Sequence, residues 1–194
     1  MAEILTTVFF MFAVIDPIGT IPVYLEATKE FDIIHKKKIA IRASIMAFLI
    51  LLFFIVIGQI ILDGMEVSLD AFQISGGVIL FLFALTMIFG EGKPEQEKNR
   101  ITDYKHVTIF PIAIPSLASP GAIMAVVLMT NNQIYSIQEQ AITSFIVLIV
   151  IGITCLILLT ANYLQKLIGS YGITVLSKIM GLILASYAVQ SILS

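Results

Sequence analysis

The sequence predicts an all-α membrane protein of six transmembrane helices, arranged as two inverted three-helix repeats whose first and fourth helices are broken. Three observations lead there. The 194 residues are 59% hydrophobic and only 12% charged, with a mean hydropathy of +1.03. A soluble domain is nearer half apolar and a quarter charged, so this chain has too little polar surface to cover a core in water. Its apolar residues fall into six runs of bilayer-spanning length, and the second half of the chain echoes the first.

About 20 mostly apolar residues carry a helix across the hydrocarbon. The first run, 4–25, reaches that length with Asp16 inside it. It lacks the basic stretch and small-residue cleavage site of a signal peptide, so it is expected to stay as a span. Uncharged runs at 43–62, 71–90, 107–129 and 141–164 qualify unaided, and a last run at 173–193 carries Lys178 near its start. The short alternating segments of an outer-membrane barrel are absent.

Lysine and arginine mark the loops that stay in the cytoplasm. Lys29, Lys36, Lys37, Lys38 and Arg42 follow the first run; Lys93, Lys98, Arg100 and Lys105 lie in 91–106; Lys166 and Lys178 lie in or beside the last loop. The two alternate loops, 63–70 and 130–140, hold none of the 11 bases. Both termini are therefore expected outside the cytoplasm, in a multi-pass protein of the cell's inner or plasma membrane.

The same composition excludes other classes. Net charge is −2 and no basic run is interleaved with aromatics, so nucleic-acid binding is excluded. The one cysteine, Cys155, lies in an apolar run and supports neither a disulfide nor a thiolate metal site. His35 and His106 sit at loop edges without a partner at ligand spacing, and no metal or cofactor is expected.

Internal similarity divides the chain. A shift of 103 lays Pro17, within Asp16-Pro17-Ile18-Gly19, on Pro120, within Ser119-Pro120-Gly121, and lays Gln59 on Asn162. A shift of 104 lays the run from Gly77 to Ala84 on the run from Gly181 to Ala188. Three spans are an odd number, so a second copy crosses in the opposite sense. The expected parts are a first repeat at 1–90, a cytoplasmic connecting loop at 91–106 and an inverted repeat at 107–194. Such symmetry suits alternating access.

Five of the 6 prolines fall in the first and fourth runs: Pro17, Pro22, Pro111, Pro115 and Pro120. Proline removes an N–H and clashes with the preceding turn, and the glycines at 19 and 121 add backbone freedom. Both helices are expected to break near mid-depth, at 16–20 and at 115–121. The start of a second half-helix attracts a carboxylate, and the carbonyls of the other stump attract a cation. Asp16 is the only acid deep in a span, which marks a pathway, proton site or ligand contact. It also reads as a helix cap accepting from the amides of Gly19 or Thr20. Both readings stand at this point. Ser116 and Ser119 gain weight from the second break, while Gln59, Gln73, Thr86 and Asn162 are secondary polar candidates in or near spans.

Asp16-Pro-Ile-Gly-Thr-Ile-Pro22, Pro115-Ser-Leu-Ala-Ser-Pro-Gly-Ala-Ile123 and Gly76-Gly77 opening the third span resemble the MarC family along essentially the whole chain. The resemblance implies a transporter of small neutral amino acids, chiefly glycine and alanine. It also implies a substrate site at Asp16, Pro17, Ile18, Gly19 and Thr20 together with Ser116, Leu117, Ala118, Ser119, Pro120, Gly121 and Ala122. Relatives often carry Gly-Pro-Gly where this chain has Ser119-Pro120-Gly121.

The leading expectation is thus a secondary transporter, exporter or exchanger, of glycine and alanine. Coupling to protons or sodium and homo-oligomer formation are left open. A channel or other small-solute permease would want a continuous polar stripe, and the spans hold only scattered hydroxyls and amides. An enzyme would need a second catalytic group beside Asp16, and no span supplies one. A structural membrane protein would not account for duplicated breaks.

Overall fold

The computed structural model describes residues 2–89, 104–132 and 134–193. All the regular structure among them is helical: α1 (Ala2–Ile15), α2 (Thr20–Ala27), α3 (Ile33–Gly64), α4 (Leu69–Phe89), α5 (Tyr104–Val107), a widened continuation of it (Thr108–Leu117), α6 (Pro120–Leu128), α7 (Ile137–Leu159) and α8 (Ala161–Leu193). Most of the connecting loop expected at 91–106, including Lys93, Lys98 and Arg100, lies outside the described residues.

Five stretches are long and apolar enough to span a membrane: Ile4–Ala27, Ile33–Gly64, Asp70–Phe89, Ile137–Leu159 and Tyr171–Leu193. The pair Tyr104–Leu117 and Pro120–Leu128 makes a sixth when taken as one span, with a bend of 54° between its parts. Within 108–117 the backbone is irregular, because Phe110 and Ile114 each precede a proline and are extended. Proline's ring pushes the residue before it out of the helical region.

Helix ends follow side-chain chemistry. Asp32 starts α3 by accepting the His35 N–H at 2.8 Å. At about 1.5 Å per residue, the 32 residues of α3 far exceed a bilayer's hydrocarbon, so its basic first turns stand outside the apolar stretch 43–62. Ser136 and Glu139 form a reciprocal capping box at the start of α7. The fifth span starts at Ile137 and stops at Leu159, five residues short of the expected 164. Thr160 ends it, turning its hydroxyl back onto the carbonyls of Leu156 and Ile157. A short segment follows, and the chain turns again at Gly169, whose φ of 75° favours glycine, before the last span.

Small residues line the interior. Ala13, Ala40, Ala43, Ala47, Ala84, Ala113, Ala118, Ala122, Ala125 and Ala188 are all buried, while Phe9, Phe53, Val56, Phe145, Leu156 and Leu182 point outward. Lipid provides no hydrophobic drive between helices, so close backbone approach by small residues takes its place. The tightest seam joins α4 to α8. A methyl group at Gly77 would lie 3.0 Å from the Ala188 carbonyl oxygen, and one at Gly181 would lie 3.1 Å from that of Ala84. As numbers rise along α4 they fall along α8, so the pair runs antiparallel. Around this seam α3 packs on α7, on 108–117 and on α6; α4 packs on α6; α1 packs on α6, α7 and α8; and α2 packs on 108–117, α7 and α8.

Candidate functional site

The turn between α1 and α2 is organised by one residue. The Asp16 N–H closes α1 on the Phe12 carbonyl at 3.0 Å, and its φ of 49° then reverses the local hand of the chain. Aspartate is among the few residues other than glycine that adopt this region. Its Oδ1 accepts the Gly19 N–H at 2.9 Å, while its carbonyl accepts both the Thr20 N–H at 3.1 Å and the Thr20 hydroxyl at 2.9 Å. Pro17 between them brings no N–H to satisfy. Asp16 is 1% exposed and is the only buried carboxylate among the described residues. Its capping bond goes to the Gly19 N–H, while Thr20 bonds the main-chain oxygen.

Gly19 is the point of convergence. A Cβ there would lie 2.0 Å from Asp16 Oδ2 and 2.7 Å from Ser177 Oγ, which reaches across from α8. Ser177 is 6% exposed, and its hydroxyl has no hydrogen-bond partner. Leaving such a group unsatisfied costs about 1–3 kcal/mol. A polar ligand or a water at this point would relieve that cost. Ser177 is absent from the sequence-based site. A signal for it existed, since the shift of 104 that aligns Gly77 with Gly181 also lays Ser177 on Gln73.

The second turn is capped by a hydroxyl. Ala118 ends the stretch 108–117 by donating its N–H to the Ala113 carbonyl at 2.9 Å. Ser119 is extended, and its Oγ accepts the Ala122 N–H at 3.0 Å, with Pro120 as the first helical residue of α6. Helix geometry leaves the Gly121 N–H without an intrahelical partner. Ser116, Leu117, Ala118, Ser119, Gly121 and Ala122 are buried, and Pro120 is exposed. Pro17, Gly19 and Thr20 are buried, with Ile18 half-buried. α1 packs on α6 and α2 packs on 108–117, so the pieces of the first and fourth spans cross.

The four secondary candidates are not part of this crossing. Thr86 and Asn162 are exposed, and the Thr86 hydroxyl donates to the Phe83 carbonyl at 2.7 Å. Gln73 donates to the Ser191 carbonyl at 3.0 Å and so ties α4 to α8. Gln59 donates to Asp63 at 2.8 Å and accepts from buried Asn131 at 2.8 Å, a relay joining the end of α3 to the loop after α6. Sequence reading missed Asn131 because it lies past the fourth apolar run.

An apolar helical bundle with one buried acid and hydroxyl-capped interior turns defines a multi-pass integral membrane protein with a polar centre. The profile of the MarC family integral membrane proteins matches residues 1–194, and the chain belongs to that family. A UPF0056 membrane protein of Buchnera aphidicola is 32% identical over 197 residues, covering 100% of this chain and 95% of the relative. One from Methanocaldococcus jannaschii is 33% identical, covering 95% and 91%, and one from Pyrococcus horikoshii is 33% identical, covering 95% and 89%. No solved structure matches the chain.

Proposed function

We propose that this protein is a secondary transporter of small neutral amino acids, an exporter or exchanger of glycine and alanine, working by alternating access. The observation that carries the reading is the convergence of the Asp16 carboxylate and the unsatisfied Ser177 hydroxyl on Gly19. A zwitterion has one charge for each kind of group. Its ammonium would meet Asp16, and its carboxylate would meet the Ser177 hydroxyl and the amides at the start of α2 or α6, where helix dipoles are positive. A titratable carboxylate at this depth also gives a coupled proton or sodium ion a place to act.

The two-repeat reading draws support from the packing. The shifts of 103 and 104 exchange α1 with 108–117, α2 with α6, α3 with α7 and α4 with α8. Under that exchange α3 on 108–117 becomes α7 on α1, α3 on α6 becomes α7 on α2, α4 on α6 becomes α8 on α2, and α1 on α6 becomes 108–117 on α2. All of these partners are packed pairs. The seam obeys the same rule, since Gly77 against Ala188 becomes Gly181 against Ala84.

Proteoliposomes holding the purified protein are expected to take up labelled glycine saturably and to show counterflow against internal alanine. Uptake that never saturates would mean a channel, and uptake equal to that of empty liposomes would overturn transport of this substrate. Imposed proton or sodium gradients identify the coupling ion. Orientation has its own test. A reporter fused after Ser194 is expected to be active only outside the cytoplasm, and one within 94–102 only inside, from the one-sided distribution of the 11 bases. A cytoplasmic C-terminus would overturn both the orientation and the inverted repeat.

A further inference from the structure

Away from the buried turns, α3 and α5 leave the same face of the bundle side by side, and a groove of about 350 Å³ opens between them. Arg42, Ile45 and Met46 of α3 line one wall, and Lys105, Thr108 and Ile109 line the other. Both walls read the same way along the chain, a base first and apolar residues one turn further into the span. Arg42 lies nine residues past the start of α3, about 14 Å along it, and is the last base before the 20 uncharged residues 43–62.

The guanidinium is already held in place. Its Nη1 donates to the Tyr104 hydroxyl at 3.2 Å, and its central carbon lies 5.5 Å from the centre of the Tyr104 ring. A guanidinium has five N–H donors in a planar fork suited to phosphate, so most of them are left for a ligand. The Thr108 hydroxyl is turned away onto the Tyr104 carbonyl at 2.7 Å, which leaves the wall beyond the bases greasy. Ile45 and Ile109 are 53% and 45% exposed there. Among the described residues no carboxylate lines the groove.

We propose that this groove binds an anionic phospholipid, with the phosphate on Arg42 and Lys105 and an acyl chain along Ile45, Met46 and Ile109. Charge at one end and hydrocarbon at the other match a lipid, whereas a soluble phosphate would use only the mouth. Basic pockets between spans are a recurring means of headgroup recognition. The proposal is independent of what the buried turns carry.

The test uses the whole protein in neutral detergent, titrated with phosphatidylglycerol and, separately, with phosphatidylcholine and glycerol 3-phosphate, with binding read by native mass spectrometry. Phosphatidylglycerol is expected to bind tightest. Arg42→Gln and Lys105→Gln should each weaken it about fivefold, and the double variant about thirtyfold. Arg42→Lys keeps the charge and should stay within that fivefold, which covers the case in which Arg42→Gln does not fold. Lys37→Gln, a base outside the groove, should bind as the parent does. Equal binding of phosphatidylcholine would overturn the proposal. So would glycerol 3-phosphate matching the lipid, or Lys37→Gln losing as much as Arg42→Gln.

Discussion

Gly19→Val is expected to reduce glycine uptake to background in a protein that still inserts into the membrane. A methyl alone would stand 2.0 Å from Asp16 Oδ2, 2.7 Å from Asp16 Cγ and 2.7 Å from Ser177 Oγ, so even Gly19→Ala must displace the carboxylate. Overpacking a buried site costs about 1–3 kcal/mol, enough to lower the melting temperature without preventing assembly. The second turn differs in degree. A methyl at Gly121 meets only Phe83 Cδ1 at 3.5 Å and Ser119 Oγ at 3.8 Å, both ordinary contacts. Gly121→Ala is therefore expected to melt as the parent does, and Gly121→Val to lose uptake by pushing against Phe83. Paired uptake and melting curves for the four variants check this. Full uptake by Gly19→Val and Gly121→Val would move the substrate away from both turns.

Asp16→Asn separates charge from shape. Asparagine also tolerates a φ of 49°, and its side-chain oxygen can still accept the Gly19 N–H, so the turn should survive and the protein should melt as before. Uptake is expected to collapse, because the negative charge proposed to face the ammonium is gone. Asp16→Ala loses the cap, worth about 1 kcal/mol, and strains the left-handed position by about 1–2 kcal/mol more. That variant is expected to be both inactive and less stable by about 2–3 kcal/mol. Wild-type uptake by Asp16→Asn would leave the residue a cap for its own turn and nothing more.

Much of this was legible because lipid simplifies the code. Long apolar runs had to be helices, since backbone N–H and C=O groups in hydrocarbon have no other partners. Asp16-Pro17-Ile18-Gly19 announced both a turn and its cap, because an acid three residues before the glycine whose amide needs an acceptor is a local arrangement. What stayed hidden is what only packing creates. Ser177 matters through its distance from Gly19, more than 150 residues away in sequence, and a serine beside Lys178 looked like the edge of a span. Asn131 matters through Gln59, 72 positions earlier. The end of α7 at Leu159 was missed for a different reason. The run stays uncharged to Leu164, and the Thr160 hydroxyl reaching back to two carbonyls marks the stop.

The glycine seam between α4 and α8 constrains how the molecule can move. Slipping by one turn, about 5.4 Å, would bring Phe81 or Gln73 to the place of Gly77, where even a methyl would crowd the Ala188 carbonyl. Helices interlocked in this way can pivot on each other but cannot slide. Under the alternating access proposed above, this pair would form an axle, and the exchange of inward and outward shapes would be a rotation about it. The travel would then fall to α1, α2, 108–117 and α6, the short pieces parted by turns at 16–19 and 118–119, with Gly19 and Gly121 as the bearings.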